Sequence, residues 1–168
     1  MNLYRFRQQR YDRNNQQRDP PLKHAESQHA TALIEWHLLH QVRLPGLDLL
    51  FHVPNEGKRT PRAGARLKRE GLKRGVLDYW LPVPVVHPHL IIFGLAFELK
   101  SADDYPTPEQ RWWCSELTKQ GWFCFCAWDW QNAAAVIEKY LLRSLEPSHV
   151  DGNNWLRIGG EPVVKVYR

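Results

Sequence analysis

Two short runs, GVLDYW (Gly75 to Trp80) and GLAFELK (Gly94 to Lys100), constrain this chain more than any other part of it. Each has the composition of a core strand that ends in charge. Side chains alternate along a strand, so Glu98 and Lys100 share one face while Phe97 and Leu99 share the other. A carboxylate and an ammonium on a core strand are costly to bury without partners. Asp78, in the preceding apolar run, is a candidate partner. Two carboxylates and a lysine are also what metal-assisted phosphodiester cleavage requires: oxygen ligands for a hard cation and a cationic group close to the attacking water. Uncatalysed hydrolysis is very slow, and enzymes in general lower such barriers by about 8–23 kcal/mol. The competing reading is a structural Glu98–Lys100 ion pair at a strand end, because E-x-K is a common tripeptide.

The rest of the chain bounds these readings. Its 168 residues, 43% of them hydrophobic, suffice for one domain with a sizeable core. The net charge of +5 and pI of about 9.2 favour a polyanionic partner. No apolar run is long enough to span a membrane, and the arginine-rich N-terminus lacks the apolar stretch of a secretory signal. Cys114, Cys124 and Cys126 lack zinc-ligand spacing, and free buried thiols fit a reducing, cytoplasmic compartment. Gly57-Lys58 lacks the surrounding residues of a phosphate-binding loop. His87-Pro88-His89 is assigned to a connecting loop.

Read for organisation, residues 1–23 form a basic arm, residues 24–146 a domain, and residues 147–168 a hairpin appendage turning at Gly159-Gly160. A helix is predicted from Ala25 to Val42, a strand over Leu49 to Pro54, and a short basic helix within GARLKREGLKRG. The Asp78 and Glu98 strands follow as a long hairpin across the Pro82–His89 loop. Thr107 caps the next helix with Pro108 at its first position and Gln110 completing a capping box. WFCFCAW is a strand, and Asp129 caps a last helix with an apolar stripe of Ala133, Val136, Ile137, Tyr140 and Leu141. The order is helix, three strands, helix, strand, helix. Between Lys58 and Arg74 lie eight cations, Lys58, Arg59, Arg62, Arg66, Lys68, Arg69, Lys73 and Arg74, against Glu70 alone. Such a run fits a solvated face or contact with a phosphate backbone.

Taken in sequence, HVPNEGKR, LKREGLKRGVLDYW, GLAFELK, TPEQRWW and TKQGWFCFCAWDW closely resemble the motifs of VRR-NUC domains, a branch of the PD-(D/E)XK nuclease superfamily, over roughly Ala25 to Leu142. The resemblance implies a restriction-endonuclease-like α/β core, a mixed central sheet flanked by helices. It implies catalytic positions at Asp78, Glu98, Lys100, Gln110 and Glu26. Mg²⁺ or Mn²⁺ would be held by Asp78, Glu98 and the Leu99 main-chain carbonyl. Nucleic-acid contacts would come from Asn55, Lys58, Arg59, Arg66, Lys68, Arg69, Lys73 and Arg74. Leu77 departs from the family, which usually has proline there. Helical spacing groups Glu26 with His29, Leu33, His37 and His40, opposite Glu35; a solvated glutamate favoured by the helix dipole is the other reading, and only the resemblance selects Glu26. Stand-alone relatives of phage or bacterial type imply a structure-selective endonuclease acting on branched DNA such as Holliday junctions or flaps, working as a homodimer; Trp122–Trp128 and the C-terminal hairpin are the candidate interface. The alternatives are a non-catalytic nucleic-acid-binding module and a sequence-specific restriction-type enzyme.

Overall fold

The computed structural model describes residues 21–54, 60–87, 90–101, 104–145, 150–158 and 161–166; the side chains of 21–26 lie outside the described set. The basic arm up to residue 20 and the Gly159-Gly160 turn also lie outside it. The first helix, α1, runs Pro21–His40, ending two residues before the predicted stop. A 3-10 turn at Leu47–Leu49 leads into strand β1, only Phe51–His52, shorter than expected because Leu47 and Leu50 turn into the core. Helix α2 is Pro61–Arg69, with the Thr60 hydroxyl accepting from the Ala63 amide, and it buries no residue.

Strand β2 (Tyr79–Leu81) pairs antiparallel with β5 (Leu95–Leu99), as the apolar runs predict. The connection between them differs from the expected long hairpin. Residues 82–94 carry their own two-stranded sheet, β3 (Val85–His87) with β4 (Leu90–Ile92), so part of the expected loop is strand. Pro82 and Pro84 interrupt the ladder of the main sheet, and the separate hairpin is fastened instead by the Tyr140 hydroxyl, which donates within reach of the Val83 and Ile92 carbonyls at 2.5 and 3.3 Å.

Helix α3 (Pro108–Lys119) has the full capping box predicted for Thr107 and Gln110. It ends before Gly121, whose φ of 82° is the left-handed conformation that favours glycine at such a stop. Strand β6 (Phe123–Ala127) then returns parallel to β5, the α3 crossover supplying the length a parallel pair needs. Asp129 caps α4 (Trp130–Leu141), accepting from the Asn132 amide at 2.6 Å. The C-terminal pair β7 (Trp155–Ile158) and β8 (Glu161–Val166) is not a detached appendage: β8 pairs with β6 and extends the main sheet.

The resulting six-stranded mixed sheet has the order β1-β2-β5-β6-β8-β7. Strand alternation divides its two faces cleanly. Leu95, Phe97, Leu99, Phe123, Phe125 and Ala127 meet α1 and α4 in the larger core, with the Ala133, Val136, Ile137 and Tyr140 stripe of α4 wholly buried. Ala96 and Cys124 point the other way, toward Cys114 and Leu117 of α3 and Leu77. An aromatic ladder of His52, Tyr79, Phe97 and Phe125 crosses four adjacent strands with ring centroids 4.8–5.0 Å apart. This is the mixed sheet flanked by helices of a restriction-endonuclease-like core. Of the segment Trp122–Trp128, the five residues of β6 are buried between β5 and β8, whereas Trp122 and Trp128 are partly exposed.

Candidate active site

The even-numbered face of β5 that begins with Ala96 continues to Glu98 and Lys100, so the charged pair lies on the α3 side of the sheet. Both side chains are buried, Glu98 with 1% of its surface exposed. The β2–β5 register pairs Tyr79 with Phe97. One step further along that antiparallel register sets Asp78, at the entrance to β2, across from Glu98. Like charges directly opposite one another are unfavourable on a sheet. The consequence is visible in Glu98: burial first, then the Asp78 carboxylate, push its pKa up to about 8, against the opposing pull of Lys100.

The two oxygens of Glu98 are unequally served. Oε1 accepts from Lys100 Nζ at 2.7 Å and also from the Gln110 side-chain amide. Oε2 is buried without a hydrogen-bond partner. Gln110 itself performs two tasks at once. Its Oε1 accepts from the Thr107 amide at 2.8 Å, closing the capping box, while its Nε2 donates to Glu98. Capping and contact with Glu98 are combined in one side chain. The end of β5 is secured by the Lys100 amide donating to the Ala127 carbonyl at 2.9 Å. Cys126 sits beside Glu98 in the parallel register. A hydrogen bond with Cys124, together with burial, holds the Cys114 thiol protonated well above its usual range, and Cys114, Cys124 and Cys126 are all free and buried.

The residues present fit a hard divalent cation. A buried, unpartnered carboxylate oxygen facing a second carboxylate is a poor arrangement for protein groups alone and a good one for oxygen ligation. Among the described residues no set of three His, Cys, Asp or Glu side chains gathers at one point.

Other predicted site residues fall elsewhere. The Glu26 side chain and Asn55, Lys58 and Arg59 lie outside the described residues. Glu35 is exposed, whereas Leu33 and His37 on the same helix are buried. Arg66, Lys68 and Arg69 are exposed on α2, Arg66 lying 3.5 Å from Glu70. Lys73 and Arg74 sit apart from α2, against α3. There the Trp113 indole donates to the Arg74 carbonyl at 2.9 Å. Next to it, Gly75 has φ 69°, and a Cβ there would stand 2.5 Å from the Glu109 Cβ and 2.9 Å from the Gln110 nitrogen. This close approach, which only glycine permits, draws the chain leading to Asp78 onto the start of α3. The aromatic wall it creates, Trp112 and Trp113, was not among the predicted site residues. Its signal in the sequence was the pair of tryptophans two residues after Gln110.

The site is thus two facing carboxylates and a lysine at the end of a central strand of an α/β domain. One solved structure similar to the chain is described as a "VRR_NUC domain protein"; it is 25% identical, with a TM-score of 0.56, and the match covers 70% of this chain and 89% of that one. This likeness supports a VRR-NUC domain here, of the nuclease type. No protein-family model and no curated protein matches the chain.

Proposed function

We propose that the chain is a Mg²⁺- or Mn²⁺-dependent nuclease that hydrolyses phosphodiester bonds in DNA. The observation that carries this reading is the divided carboxylate of Glu98: one oxygen held by Lys100 and Gln110, the other buried, unpartnered and beside Asp78. Asp78 and Glu98 would hold the cation, with the Leu99 main-chain carbonyl as a third oxygen. When bound, such a cation lowers the pKa of a water and offsets the charge of the phosphate. Lys100 favours the ionised form of Glu98 against burial and Asp78, and with the cation bound its ammonium would orient the attacking water and stabilise negative charge developing on the phosphate oxygens. Gln110 fixes the rotamer of Glu98, so that the carboxylate is aligned by α3 before substrate arrives.

Within this reading the protein is a structure-selective endonuclease for branched DNA. The likeness to the VRR_NUC domain protein supports the nuclease class and the basic surface of α2 a polyanionic substrate, while selectivity for branches rests on the motif resemblance. A homodimer would set two sites on two strands of a junction.

Purified protein is incubated with labelled four-way junctions, flaps, single strands, linear duplex and the matching RNAs, in Mg²⁺, Mn²⁺ or EDTA. The expected result is cation-dependent cleavage that follows branch geometry. Identical behaviour of wild type and Lys100→Ala on every substrate would remove the nuclease reading. The Glu98–Lys100 ion pair at 2.7 Å also suits a purely structural role in a binding module. Thermal unfolding with and without Mn²⁺ separates the two, since a ligand of the folded state raises Tm. Stabilisation by Mn²⁺ that disappears in Asp78→Asn favours the enzyme.

A further inference from the structure

Between the start of α3 and residues 73–75 lies a pocket of about 430 Å³ lined by Lys73, Arg74, Pro108, Glu109, Trp112 and Trp113. We propose that it holds an unpaired nucleotide of the nucleic-acid substrate, the base stacked on Trp112 and the phosphate held by Lys73 and Arg74; this rests on the nuclease reading of the adjoining site.

The volume lies within the range of small-molecule sites, about 300–1,000 Å³. Trp112 is 57% exposed, an unfavourable state for so large a ring unless something covers it. Its neighbour Trp113 braces it edge-on, ring centroids 5.2 Å apart at 77°, and is itself tied to the Arg74 carbonyl. The stacking surface and the cationic wall are thus pinned to each other, and Gly75 fixes the distance between them. Lys73 and Arg74 are exposed, and among the described residues neither enters an ion pair. Cations beside an aromatic face are the combination by which proteins hold single-stranded nucleic acid. Glu109 on the same rim is unfavourable to a second phosphate but can accept from an exocyclic amine of a base. A base still stacked in a duplex cannot lie on Trp112, so the occupant is an unpaired nucleotide. Glu109 on the pocket rim is next in the chain to Gln110, which donates to Glu98, and Arg74 lies four residues before Asp78. A nucleotide bound there would set a single-stranded branch next to the bond to be cut.

The test uses duplexes with a single-stranded branch carrying one 2-aminopurine at the first unpaired position, and the fully paired counterpart, as DNA and as RNA, in EDTA. Wild type is expected to quench the unpaired probe and to bind the branched duplex roughly tenfold or more tightly than the paired one. Trp112→Ala should lose both the quenching and the preference, while Trp112→Phe should retain most of both. Lys73→Ala with Arg74→Ala should reduce the affinity for the branched duplex. The proposal falls if Trp112→Ala, shown folded by its unfolding curve, keeps the preference and the quenching. It falls equally if wild type binds both duplexes alike. Failure of the nuclease reading is distinct: stacking would persist with no cation-dependent cleavage of these same oligonucleotides.

Discussion

At Glu98 the two oxygens of one carboxylate occupy different surroundings, and most of the chemistry proposed here follows from that. Its folded pKa, about 8, lies above its ordinary value of 4.5 because burial and Asp78 oppose ionisation. Between those two values the folded state holds a proton that the unfolded state has released. Cation-free protein should therefore be most stable below about pH 4.5 as far as this group is concerned, losing that contribution as pH climbs through 8. Melting curves in EDTA from pH 5 to 8.5 should show the decline, and Glu98→Gln should flatten it. The same linkage makes the rise in Tm on adding Mn²⁺ larger at pH 8 than at pH 6, because at lower pH the cation must displace a proton. Lys100→Ala should reduce cleavage by about 10²–10⁴-fold, the range typical for a positioned proton-handling group. It should remain folded, because Glu98 can protonate when its partner is gone.

Helix α3 shows how an element can carry a site that few of its residues belong to. Thr107, Pro108 and Gln110 form its start by local rules that are legible in the sequence, and the capping box forms as those rules predict. What the local pattern leaves open is that the same glutamine reaches Glu98 across to the sheet. Thr107→Ala should cost about 1 kcal/mol in denaturant unfolding, the usual loss for an N-cap, and should lower cleavage as well because Gln110 loses its alignment. Gly75→Ala should be more damaging. A residue with a side chain at φ 69° costs on the order of 1–3 kcal/mol, and the backbone of α3 leaves no room for the Cβ. Guanidinium unfolding of this variant tests the prediction, and a loss of under 0.5 kcal/mol would contradict it. The apolar strands and the α4 stripe were equally legible, since burial of one face imposes a period. The β3–β4 hairpin was not: a proline-rich connection specifies where the main ladder stops, and only the Tyr140 hydroxyl from a distant helix specifies where the segment goes.

Across the whole molecule the sheet is completed by its C-terminus. Leu156, Val163, Val164 and Val166 are buried in the main core, and at about 1.5–3 kcal/mol each they contribute as much as the entire stability of many domains, about 5–15 kcal/mol. Removing residues 150–168 should leave the β6 edge open and give an unfolded or aggregating product by circular dichroism and light scattering. A folded, monomeric truncation would show that the hairpin is dispensable. The basic surface acts at the same scale. Lys68→Ala and Arg69→Ala should each lower DNA affinity with little regard to sequence, and each should reduce the slope of log affinity against log salt by about one unit.

Periodicity, caps and charge placement in the sequence by itself determined the α/β class, the strands bearing Asp78 and Glu98, the start of α3 and the shared face of Glu98 and Lys100. These are short-range consequences of backbone geometry. Only the tertiary structure decided that Asp78 faces Glu98, that Gln110 serves both its helix and the carboxylate, that Lys73 and Arg74 meet Trp112, and that the last strand closes the sheet beside β6. Each of these depends on register or on close approach between segments distant in the chain, and neither is encoded in the local pattern of any one of them.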